Sequence, residues 1–180
     1  MYRSIASAPM LAAGLSLLVL ASPAAFAAAP CHPLPNGFEF CAAGSDWEDA
    51  ESFAFDDAVV LESDMLWLEI MPLPEEFAGQ SLDAMLDSIA TEAAQDAASE
   101  GVPAPDMLGR DQFQTATLNA VTMTMTESDD GFEYVVVMAV AESNDRHLVL
   151  ALDGDETISA PEMEENMRNI AELIRPTEEG

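Results

Sequence analysis

Hydrophobic and polar positions change rhythm several times along this chain, and each change marks an element. Gly37 to Cys41 alternates and predicts a short strand. Trp47 follows as an anchor to the core. Ala58 to Glu62 and Leu66 to Met71 predict two strands joined by a turn at Ser63-Asp64, the second ended by Pro72 and Pro74. After Ser81 the period becomes helical. Leu82, Met85, Leu86, Ile89, Ala90 and Ala93 share one face, while Asp83 and Asp87 share the other. That helix is expected to end near Gly101. Pro103 and Pro105 forbid its continuation, so residues 101–109 read as a loop.

Alternation then returns. Phe113 to Leu118 predicts a strand. Val121 to Thr126 places Val121, Met123 and Met125 on one face and three threonines on the other. Ser128 to Gly131 is a turn. Phe132 to Ala141 is apolar almost throughout, as a strand covered on both faces would be. A turn at residues 143–145 leads to a last strand, His147 to Leu152. Ser159 and Glu162 form a capping box with Pro161 in the first turn. Met163, Met167, Ile170, Ala171 and Ile174 make one apolar stripe, Arg175 suits the helix C-terminus, and Pro176 stops the helix. Strands, helix, strands, helix: this order predicts an α+β fold, a single largely antiparallel sheet with two main helices packed on it.

The N-terminus has a separate logic. Arg3 precedes an apolar run from Met10 to Ala21, and Pro23 then leads to Ala25-Phe26-Ala27. A basic start, a short apolar centre and an A-x-A end describe a secretory signal peptide. Residues 1–27 are expected to be cleaved, with cleavage after Ala28 as the neighbouring choice. The apolar centre is too short to span a bilayer, which takes about 20 residues. Pro30 before Cys31 argues against a lipid anchor. The expected mature chain is one domain, residues 28–180, with a proline-rich segment at 28–37 and an acidic tail at 176–180. Its expected place is the periplasm or the medium.

Charge narrows the partners. The chain holds 34 acidic residues, no lysine and a formal net charge of −29. Beyond the leader the only permanent cations are Arg110, Arg146, Arg168 and Arg175. Nucleic acid and anionic membrane surfaces would be repelled. A basic partner or a divalent cation would be attracted, and no stable membrane insertion is expected after cleavage. The chain is expected to be a monomer. Hydrophobic content of 49% supports a packed core rather than a disordered acidic chain.

Cys31 and Cys41 are the only cysteines. In an oxidising compartment the pair reads first as a disulfide, worth roughly 2.5–3 kcal/mol for so short a loop. A metal site with His32 and His147 is the alternative, although the spacing is not that of a zinc knuckle.

The order of elements resembles the PsbP/DcrB-like superfamily. Phe38-Glu-Phe40, Trp47, Val59 to Met71, Ser81 to Ala98, Phe113 to Leu152 and Met163 to Ile174 carry the resemblance. It implies an exported accessory or binding protein without catalytic residues. No G-x-S-x-G, H-E-x-x-H, phosphate loop or dinucleotide glycine pattern is present. A non-enzymatic binding protein is therefore the first expectation. A divalent-metal or copper binder is the second, and an unrecognised hydrolase the third. No cofactor is expected. For calcium, the candidate ligands are Asp153, Asp155 and Glu164, with Thr157 and Ser159 between them in the spacing of a calcium loop. Ile158 stands where that loop needs glycine, so a turn into a capped helix is the competing reading. For copper, the candidates are the paired Met123 and Met125, and Met163 and Met167, which core packing explains equally.

Overall fold

A computed structural model describes residues 31–177 except 56, 78, 130 and 131. The expected signal peptide lies outside the described residues. The described residues form ten strands: β1 (His32–Leu34), β2 (Phe38–Phe40), β3 (Glu51–Phe55), β4 (Ala58–Glu62), β5 (Leu66–Pro72), β6 (Asp106–Gln114), β7 (Asn119–Asp129), β8 (Phe132–Ser143), β9 (Arg146–Gly154) and β10 (Ile174–Pro176). The α-helices among the described residues are α1 (Leu82–Glu100) and α2 (Ala160–Leu173).

The expected single sheet is instead two. Seven strands pair in the order β3-β4-β5-β9-β8-β7-β6, every pair antiparallel. A second sheet, β1-β2-β10, joins the two ends of the described chain. Its cause is tertiary. The β1–β2 hairpin leaves one edge of β2 unpaired, and the residues after α2 run antiparallel to it, Ile174 opposite Phe40. Of the expected acidic tail at 176–180, residues 178–180 lie outside the described residues. Pro176 lies in β10, and the Thr177 amide donates to the Gly37 carbonyl at 2.9 Å. The stretch after Pro105, expected as loop, is the start of β6, and β3 was not anticipated.

Helix boundaries follow their caps. The Ser81 hydroxyl accepts from the Ala84 amide at 3.3 Å, and Gly101 ends α1 in the left-handed conformation. The Ser159 amide and hydroxyl both donate to the Glu162 carboxylate, at 3.0 and 2.6 Å. Those bonds hold the Glu162 carboxyl below its usual range. Between β8 and β9, Asn144 and Asp145 both take positive φ, as a two-residue hairpin turn requires.

Strand alternation divides the core. On one face of the large sheet, Leu68, Ile70, Val137, Ala139, Leu148, Leu150 and Leu152 meet Met163, Met167, Ile170 and Ala171 of α2, and Phe38 and Phe40 of the small sheet. On the other face, Val121, Met123, Met125, Val136 and Val140 meet Met85 and Leu86 of α1. α1 covers the β7–β8 side of that face.

Gly37 closes the β1–β2 turn at φ +71°. A Cβ there would lie 2.7 Å from an Arg146 guanidinium nitrogen. That guanidinium donates to the Gly37 carbonyl at 2.8 Å and lies over the Phe38 ring. Gly37→Ala is expected to cost about 1–2 kcal/mol from the left-handed backbone alone. Urea denaturation of variant and parent would measure it, and an unchanged midpoint would refute it.

Candidate functional site

An open cleft of about 1450 Å³ lies on the α2 side. Three segments build it. The first wall is the turn after β2. The Ser45 hydroxyl donates to the Ala42 carbonyl at 2.7 Å and accepts from the Trp47 amide at 3.1 Å. This folds the chain tightly enough to bury Trp47 edge-on against Phe40, ring centroids 6.3 Å apart. Gly44, Asp46, Asp49 and Glu51 are left along the rim. The second wall is the β4–β5 turn with Glu62, Asp64 and Met65, tied to the β9–α2 loop by the Asp155 amide donating to the Met65 carbonyl at 3.0 Å.

The third wall is α2. A helix with a stripe buried at residues 163, 167, 170 and 171 must present another at 162, 165, 166, 169, 172 and 173. Those six residues line the cleft. Three of them are glutamates. The complete lining holds eight carboxylates and no arginine or histidine.

All four arginines of the described chain are engaged elsewhere. Arg110 pairs with Asp87 and Arg168 with Asp111, linking each helix to β6. Arg175 donates to Glu39 at 2.7 Å across the small sheet, and Arg146 caps Gly37. Such exposed pairs contribute little energy singly. Their consequence is that the cleft carboxylates have no cation from these side chains.

The structure does not bring the calcium candidates together. Asp153 follows Leu152 on β9 and lies on the sheet face away from α2, opposite Trp67 in register. Burial pushes its carboxyl up to about 6, and the nearby charges of Glu127 and Glu69 add to the shift. Glu164 lies on the α2 side, where it accepts from the buried Thr124 hydroxyl at 2.9 Å. Asp155 accepts from the Thr157 amide at 3.0 Å and hydroxyl at 2.9 Å, bonds that lower its carboxyl. The loop thus serves as the entry to a capped helix. The methionine pairs are also apart: Met123 and Met125 are buried under α1, Met163 and Met167 under α2.

Cys31 and Cys41 form a disulfide with sulfurs 2.15 Å apart, bridging the ends of β1 and β2. Glu39 is the neighbouring carboxylate, and among the described residues these three side chains are the one group of histidine, cysteine or acidic residues close enough to surround an ion. Both sulfurs are already spent on each other. His32 and His147 lie elsewhere, beside Ser52 and Glu142.

An antiparallel sheet between two helices, entered by a short aromatic strand and a tryptophan turn, is a PsbP-like fold. The solution structure of cyanobacterial PsbP (CyanoP) from Synechocystis sp. PCC 6803 superposes with a TM-score of 0.55 at 14% identity, over 88% of this chain and 98% of that one. LpqN, involved in cell envelope biogenesis of Mycobacterium tuberculosis, matches at 0.40 and 12% identity over 81% of each chain. PA94, a protein of unknown function from Pseudomonas aeruginosa, matches at 0.42 and 13% identity over 71% of this chain and 96% of that one. No family model and no curated protein matches the sequence. Among the described residues no helix is long and apolar enough to cross a membrane.

The cleft escaped sequence reasoning because its α2 wall lies far along the chain from the other two. One signal was available: Glu162, Glu165 and Glu172 already share the outward stripe of a well-defined amphipathic helix.

Proposed function

We propose that this is an exported, non-enzymatic binding protein whose acidic cleft receives a lysine- or arginine-rich segment of a partner protein. The observation carrying this reading is the cleft lining of eight carboxylates without a basic side chain. Converging like charges raise the local concentration of cations and speed their encounter. A cleft of that volume suits a peptide segment better than a single ion. The leader, from Arg3 to Ala27, and the Cys31–Cys41 disulfide support export. The PsbP-like fold adds no reaction of its own.

A polycation would adhere to any protein of this charge, so the test must separate cleft from surface. One quadruple variant neutralises Asp49, Glu62, Glu165 and Glu172 in the cleft. A second neutralises Glu75, Glu76, Asp83 and Glu92, exposed residues outside it. Both have the same net charge. Titration calorimetry uses a twelve-residue peptide alternating lysine and serine. Losing four contacts of a few tenths of a kcal/mol each should weaken binding about tenfold in the cleft variant. The control should lose much less. Equal losses in the two variants would overturn the reading.

A further inference from the structure

Strand register places three aromatic rings and four carboxylates on one face of the large sheet. Directly opposed residues share a face, as do alternate residues of one strand. One row across the strands therefore reads Glu51, Glu62, Trp67, Asp153 and Val136. The next reads Phe53, Val60, Glu69, Ala151 and Met138. Phe55 follows Phe53 on β3. Farther along, α1 packs on this same face over Met123, Met125 and Val136. Here the rings stay exposed: Trp67 by 38%, Phe53 by 40% and Phe55 by 64%. Trp67 and Phe53 form a corner, ring centroids 5.3 Å apart and planes at 68°.

Trp67 is ringed by acid. Glu62 and Asp153 are its direct cross-strand neighbours, and Glu69 is two residues on along its own strand. Direct neighbours have Cβ atoms about 5 Å apart. No basic residue occurs in β3, β4, β5, β8 or α1, and Arg146 and His147 stand at the opposite end of β9 from Asp153. Carboxylates around an exposed ring favour a cation twice over: their charge attracts it and the ring quadrupole holds it. A purely apolar segment would cover the rings only by stripping water from the carboxylates. A second copy of the chain would bring the same negative charges against them. Glu51 and Glu62 also line the acidic cleft, so the cleft and this face share an edge.

We infer that this face is a docking site for an arginine of the partner's basic segment, its guanidinium lying on the Trp67–Phe53 corner between the Glu62 and Asp153 carboxylates. The inference rests on the cationic-partner reading and adds to it a preference for arginine over lysine. A guanidinium is flat, weakly hydrated and rimmed with N–H groups, so it stacks on a ring and bonds carboxylates on two sides at once. An ammonium is compact and strongly hydrated, and gains less from a ring. A segment lying in the cleft reaches Trp67 by passing over Glu51 and Glu62. A cation there also offsets the repulsion from Glu127 and Glu69 that, after burial, raises the Asp153 carboxyl.

The experiment titrates the protein with two twelve-residue peptides of equal charge, one alternating arginine and serine, the other lysine and serine. The arginine–serine peptide should bind about tenfold more tightly. It should also protect Trp67 from acrylamide quenching, Trp47 being buried. Trp67→Leu should cut the preference to about twofold. It should leave lysine–serine binding unchanged, since Trp67 lies outside the cleft lining. Trp67→Phe, which keeps a ring, should retain most of the preference. Asp153→Asn leaves the ring in place and should lower the preference about threefold. Equal binding of the two peptides by the parent overturns the inference, as does a preference that survives both Trp67→Leu and Asp153→Asn. Free arginine amide binding as tightly as the peptide would also overturn it, in favour of a small-molecule site. Failure of the cationic-partner reading appears separately, as equal losses of lysine–serine binding in the cleft and control variants.

Discussion

Phe40→Ala is expected to destabilise the protein by about 3–5 kcal/mol, the range for removing a fully buried aromatic ring. Phe40 is completely buried. It stands at the junction of three structures. Its strand pairs with β1 on one side and β10 on the other, with His32 and Ile174 as its direct partners. Its ring meets Trp47, which anchors the first wall of the cleft, and it belongs to the core shared by β5, β9 and α2. Truncation leaves a cavity that these elements can fill only by moving together. The variant should therefore lose stability and cleft affinity at once. Urea denaturation followed by far-ultraviolet circular dichroism measures the first, and peptide titration well below the unfolding midpoint measures the second. A loss below about 1 kcal/mol would mean that the small sheet is not part of the cooperative core.

The same junction explains what could be read from the sequence. Elements whose stability is local were legible. α1 and α2 declare themselves by period, by Ser81 and by the Ser159–Glu162 box. The pairs β4–β5 and β8–β9 declare themselves by apolar runs flanking short polar turns. Elements held by distant partners were not. β10 contains proline and directly follows a helix, so no local preference favours it. It is a strand because β2 has a free edge. β3 alternates correctly, Glu-Ser-Phe-Ala-Phe, but its aromatics lie outside the two buried core clusters and stay exposed. The calcium spacing misled for a related reason. It counts positions along the chain, whereas strand alternation sends Asp153 to one face of the sheet and the capped turn returns Glu164 to the other. A spacing rule holds only where the backbone keeps the geometry that gave rise to it.

Asp153 provides the second large effect, and its sign is opposite to that of most acidic residues. An ordinary paired carboxylate has a depressed pKa and stabilises the fold above it. Asp153 is raised from 3.8 to about 6, because burial beside Trp67 and Val136 disfavours its charge, with Glu127 of β7 and Glu69 of β5 adding repulsion. Between these two values the folded state holds a proton that the unfolded state has released. Stability from this group is therefore fully present below the unfolded value, falls as pH rises through the window, and is lost above about 6. A shift of this size corresponds to roughly 3 kcal/mol. Asp153→Asn removes the charge at every pH. Whatever constant gain or loss the amide brings, the stability difference between variant and parent should move in the variant's favour by about that amount between pH 3.5 and pH 7.5. The comparison cancels the general relief of self-repulsion that acid brings to a chain with 34 carboxyl side chains, since both proteins share it. Urea midpoints at the two pH values are sufficient. A difference that does not change with pH would show that Asp153 titrates as it does in the unfolded chain. The charged form is thus maintained at neutral pH against the preference of its own surroundings, on the sheet face that also carries the uncovered aromatics.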